Sequence, residues 1–118
     1  MTQLKYRTEN NTLFLASLSG EEIPVALPFP VAKVLPFPDI LVVCVQPDVG
    51  CIFNENVFGI DAEGHIKWQI SKRTYAYQDS PFTGIARAGS TAILYNWDGT
   101  DLEVDPATGN VLSESFSK

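Results

Sequence analysis

The feature that most constrains this chain is what its apolar residues refuse to do. No stretch of about eleven residues places them at i, i+3, i+4 and i+7 without a proline, a glycine or a β-branched run interrupting. Instead, short apolar or alternating runs recur every ten residues or so, separated by Gly, Pro, Asn and Asp, as in a sandwich or barrel. Strands are predicted over 3–7, 12–18, 23–27, 31–36, 40–45, 57–61, 65–70, 82–87, 91–96, 100–105 and 110–116. At 118 residues and 45% hydrophobic, the chain has material for one core. The expectation is a single all-β domain over 1–118, an antiparallel β-sandwich or small β-barrel built of hairpins.

Three turns carry specific chemistry. Asp61-Ala62-Glu63-Gly64 separates Val57–Ile60 from Ile66–Ile70, with an Asp that can accept a local N–H and a Gly for positive φ. Asn96-Trp97-Asp98-Gly99 follows Thr91–Tyr95 and ends on an Asp-Gly step suited to a tight hairpin. Asp105-Pro106-Ala107-Thr108-Gly109 joins the last two strands. Six of the eight prolines fall between Ile23 and Pro47, with an echo of Leu-Pro-Phe-Pro at 27–30 and 35–38. Proline cannot donate to a central ladder, so this region supplies edges, strand starts or connectors. Its apolar flanks speak against an exposed polyproline ligand.

The formal charge of −6 repels phosphate backbones and favours cationic partners, which excludes nucleic acid as a direct ligand. The run Ile40–Val45 is far shorter than the roughly 20 apolar residues of a membrane span. Residues 1–11 lack the apolar segment of a secretory signal, so a cytoplasmic setting is expected. There, Cys44 and Cys51 are expected as free thiols. Two Cys and His65 are too few for a structural zinc site. No calcium loop, phosphate loop or nucleophile elbow is present, and no cofactor or metal is expected.

Candidate functional residues cluster late in the chain. Asp101 and Glu103 alternate with Leu102 and Val104, so the carboxylates share one strand face, continued toward Asp105, while the apolar pair faces a core. Asp98 lies just upstream in a turn. This acidic row reads as a solvated face, a patch for a basic protein, or a carboxylate pair for glycoside hydrolysis, the last of which also needs a deep sugar cleft. Trp97, in the same turn, either folds back over the end of the sheets or anchors a partner. Asn54 and Asn56 belong to a polar loop that could contribute to binding. His65 follows a turn Gly with no positioned nucleophile or acid at a recognisable spacing. Trp68 is expected in the core, on one face with Ile66 and Ile70.

The segment Asn56-Val57-Phe58-Gly59-Ile60-Asp61-Ala62-Glu63-Gly64-His65-Ile66-Lys67-Trp68-Gln69-Ile70 resembles a blade hairpin of the PQQ-like propellers, and Val104–Val111 repeats its turn. A propeller takes at least four blades of about 40 residues, so the resemblance implies a style of hairpin and no cofactor. From about residue 31, that segment, Tyr95-Asn96-Trp97-Asp98-Gly99, Asp105-Pro106-Ala107-Thr108-Gly109 and the terminal Phe116-Ser117-Lys118 resemble a family of small bacterial all-β proteins of unassigned function. Some small acidic bacterial domains of this kind are immunity proteins, which implies a non-catalytic protein that masks the active site of a basic toxin. Trp97, Asp98, Asp101, Glu103, Asn54 and Asn56 are then the candidate partner-binding residues. The competing expectation is a small-ligand module that uses Trp97 and the loop at Asn54–Asn56, or a structural interaction domain.

Overall fold

In a computed structural model, which describes residues 4–17 and 19–116, the chain forms three antiparallel sheets and no helix among those residues. The strands are β1 (Tyr6–Glu9), β2 (Thr12–Ala16), β3 (Glu22–Ala26), β4 (Val31–Phe37), β5 (Ile40–Val45), β6 (Val57–Asp61), β7 (Ile66–Gln69), β8 (Phe82–Ala88), β9 (Thr91–Asn96), β10 (Thr100–Val104) and β11 (Val111–Phe116). The sheet orders are β1-β2-β3, β4-β5-β6-β7 and β11-β10-β9-β8, each strand pairing with its sequence neighbour. Of the two expected architectures, this is a sandwich, with three layers where two would have sufficed. The first strand lies later than 3–7, because pairing of Tyr6 with Leu15 and of Glu9 with Thr12 ties it to β2. Gln3 and Leu18, at the limits of the first two expected strands, lie outside the described residues.

The middle sheet explains the stack. All six residues of β5 are buried, and successive strand residues point to opposite faces. Leu41, Val43 and Val45 join Leu13, Leu15, Val25, Leu27, Phe58 and Ile60 in a core against the first sheet. Ile40, Val42 and Cys44 join Val57, Trp68, Ile70, Phe82, Ile85, Leu94 and Leu102 in a second core against the third sheet. A strand apolar on both faces needs a layer on each side. The prolines fall where ladder donors are dispensable: Pro24 lies on β3 and Pro36 on β4, both sheet edges.

The β6–β7 and β10–β11 hairpins follow one plan. Asp61 Oδ1 accepts the N–H groups of Glu63 and His65, and Asp105 Oδ1 accepts that of Ala107. Each hairpin then carries a bulge at the matching step, between Gly59 and Ile60 in one and between Glu103 and Val104 in the other. Gly59 pairs with Trp68 where Glu103 pairs with Ser113. The bulge corrects one expectation: Ile66 pairs with Ile60 and is exposed, so it does not share the buried face of Trp68 and Ile70. An extra residue in one strand shifts the alternation by one.

The same hairpins lock successive sheets together. The Trp68 indole lies over Gly59, donates from Nε1 to the carbonyl of Pro106 at 2.8 Å, and is covered by Gly109. A Cβ on Gly109, whose φ is 76°, would stand 2.5 Å from the indole. The equivalent Gly64 packs on Ile23 of β3. Each turn glycine thus seats its sheet on the sheet before it.

Candidate functional site

Three connections converge at one end of the stack: 46–56 after β5, 70–81 after β7, and 97–99 after β9. The long 70–81 segment has no ladder of its own, so asparagine side chains fasten it. Asn54 donates to Gln78 O at 2.9 Å and accepts from Ser80 N at 2.8 Å. Asn56 donates to Val45 O and Phe82 O, at 2.8 and 2.9 Å, and accepts from Phe82 N at 2.8 Å. Asn96 accepts from Ser80 Oγ at 2.6 Å and donates to Ser80 O at 2.9 Å. These amides do what backbone pairing does elsewhere, satisfying buried donors and acceptors.

That accounting redistributes the candidate residues. Asn56 has no exposed surface, so it holds the site's backbone together from inside and lies beyond a partner's touch. Asn54 is half-buried, with both ends of its amide engaged. Asp98 accepts from Ala76 N at 3.1 Å through Oδ2 and from Thr100 N at 2.9 Å through Oδ1. Burial alone would raise its carboxyl pKa, but these N–H bonds and the charge of Arg73 outweigh burial and hold it below the usual value. Glu103 accepts from Thr91 Oγ1 at 2.7 Å and Ser113 Oγ at 3.0 Å, which lowers its pKa in turn. Among the described residues, only Trp97 and Asp101 of the six carry no intramolecular side-chain hydrogen bond.

Trp97 does not fold back: it is 65% exposed, held through its backbone N–H to Pro81 O at 2.9 Å. Tyr77 is 59% exposed beside Ala76, whose N–H bonds Asp98. Val49 and Ile52 are exposed in the 46–56 connection. This end therefore presents apolar side chains on a hydrogen-bonded frame, a combination that favours contact over solvation. The sequence reading missed Tyr77 and Ile52. The signal available was the 71–81 stretch itself, a polar connection carrying two tyrosines with no alternation to bury them.

The outward face of the third sheet begins at this end. By the shared hairpin plan, Tyr95, Asp101, Glu103, Ser113 and Ser115 occupy the positions that Cys44, Val57, Gly59, Trp68 and Ile70 hold in the second sheet. Of the second set, Cys44, Val57, Trp68 and Ile70 are core, and Gly59 is buried beneath the indole. The first is polar, and Asp101 and Glu103 face outward as expected, with Leu102 and Val104 buried beneath.

Burial pushes the Cys44 thiol up to about 12, away from a nucleophilic thiolate. Cys44 and Cys51 are free. Burial and the neighbouring Glu55, which accepts from Tyr75 Oη at 2.9 Å, raise the Tyr75 phenol. The donors best grouped for a cation are Asp61, Glu63 and His65, at the opposite end, with ligand atoms within 4.8 Å of one another. Asp61 Oδ1 is already committed to its turn, and His65 Nδ1 stands 3.4 Å from Oδ2.

Residues 1–116 match the model of a family described as a domain of unknown function, DUF7957. No curated protein matches the chain. Among solved structures, the computationally designed Ika8 protein superposes on 98% of this chain with a TM-score of 0.66 at 14% identity. The chain spans 33% of that protein's length. At this identity the likeness is one of fold.

Proposed function

We propose that this chain, a member of the DUF7957 family of unknown function, is a non-catalytic binding protein for a cationic protein surface, in the manner of an immunity protein that masks a basic toxin's active site. The observation that carries this reading is the outward face of the third sheet. Positions that are core one layer earlier are here Asp101, Glu103 and two serines, with Trp97 standing exposed at the end of the row. A carboxylate row on a chain of formal charge −6 steers a basic partner. An exposed Trp and Tyr77 on a rigid frame supply the anchors. Asp101 and Trp97 make direct contact, while Asp98, Asn54 and Asn56 position them. In the cytoplasmic setting proposed for it, Cys44 and Cys51 stay reduced. The small-ligand reading is the weaker one, because the amides of Asn54 and Asn56 that it would use are spent on backbone groups.

The test is capture from lysate of the source cells by tagged wild type, D101K and W97A proteins, eluted with rising salt. A basic protein held by wild type, released by salt and lost with D101K and W97A is the expected result. Equal retention by D101K would overturn the acidic-face assignment.

A further inference from the structure

The outward face of the third sheet is divided lengthwise. Residues paired directly across an antiparallel ladder point to the same side. Gly84, Tyr95, Asp101 and Ser115 therefore form one row across the sheet, and Ala86, Ile93, Glu103 and Ser113 form the next. The bulges of this sheet, between Phe82 and Gly84 and between Glu103 and Val104, lie outside both rows. Along the strands, β8 and β9 make a strip of small and apolar groups, while β10 and β11 make a strip of carboxylates and hydroxyls. The apolar strip is open, with Tyr95 40% exposed and Ala86 and Ile93 half-buried. Its relief is low: a Cβ on Gly84 would stand 3.8 Å from the Tyr95 ring, which leans toward β8. Neither row holds a cation, because Arg87 of β8 turns to the second sheet and donates to Pro36 O at 2.9 Å.

Building on the reading of a cationic protein partner, we propose that the partner docks an amphipathic α-helix along this face, its apolar stripe on Ala86, Ile93 and Tyr95 and its basic side chains on Asp101 and Glu103. The spacings agree. Same-face residues repeat about every 6.6–7 Å along a strand, and residues four apart on a helix repeat about every 6 Å. One helix therefore sets two apolar side chains against Ile93 and Tyr95 while two Lys or Arg of the adjoining stripe meet Asp101 and Glu103. A helix about 10 Å across spans the two central strands, which lie about 4.8 Å apart, and Gly84 and Ala86 leave it room on the β8 side. An extended segment fits less well, because a strand offers a surface only one line of side chains and sends the alternate ones away. It cannot supply apolar and basic groups side by side. A helix with one apolar stripe can, and charge complementarity with Asp101 and Glu103 fixes which way round it lies.

Calorimetric titration at low salt with two peptides of lysine and leucine, identical in composition, tests this. In one, leucine recurs at helical spacing; in the other, it alternates with lysine. The first is expected to bind the wild-type chain about tenfold more tightly than the second and to gain helical circular dichroism on mixing. D101N weakens both peptides, through charge. Y95S weakens the first alone, and A86Q, which covers the apolar strip without removing any packing, does the same even where Y95S does not fold. Equal affinity for the two peptides, no gain of helix, or an effect of D101N without one of A86Q overturns the helix and leaves a charge-driven partner standing. Binding of neither peptide overturns the helix and the acidic face together.

Discussion

The β6–β7 and β10–β11 hairpins share an aspartate turn, a glycine and a bulge at the same step, yet one lies inside the molecule and the other on its surface. The difference is concentrated in one cross-strand pair. Gly59 and Trp68 in the first let an indole lie flat on the backbone and receive the Gly109 turn of the next sheet. In the second, Glu103 accepts from Ser113 and from Thr91. The same hairpin plan thus either continues the stack or ends it, according to whether that pair is a flat apolar platform or a hydrated one. The opposite outer face ends similarly: Arg7 lies 4.0 Å over the Phe14 ring and pairs with Glu22 at 2.7 Å.

The largest way to break this comparison is Trp68→Ala. Removing the platform should cost about 3–5 kcal/mol in chemical denaturation, whereas Ser113→Ala should scarcely move the midpoint. Equal effects would mean that the two hairpins are not divided as described. Asn56→Ala comes next, because it strands the Phe82 N–H and two carbonyls, with an expected loss of about 3 kcal/mol. Asn54→Ala, in a wetter place, should lose about 1 kcal/mol or less; a reversed ranking would relocate the fastening of the 70–81 connection. Asp98→Asn is the smallest. The folded-state carboxyl lies below its ordinary pKa, so its contribution is present above that ordinary value and lost as pH falls through the folded value. With partial exposure discounted, about 0.5 kcal/mol is expected at neutral pH. The variant's stability should also decline less steeply in acid. An unchanged acid limb would separate Asp98 from the turn it holds.

Much of this was legible from local pattern. All eleven expected strands appear, and Asp61–Gly64, Asn96–Gly99 and Asp105–Gly109 are turns. Alternation placed Leu102 and Val104 inside and Asp101 and Glu103 outside. Ile66 was misplaced because a bulge is set by the partner strand, which a single run of alternation does not record. Asn56 looked like a loop residue available for contact. Its burial depends on Val45 and Phe82, the latter 26 positions away.

The sequence by itself determined the strands, the turns and the antiparallel pairing of neighbours, because alternation, glycine φ and proline placement act within a few residues. Only the tertiary structure decided that there are three layers, that Trp68 is a platform and Ser113 its surface counterpart, and that Trp97 faces solvent. Those outcomes rest on which sheet face meets another, and contacts between sheets join residues whose order along the chain says nothing of their distance.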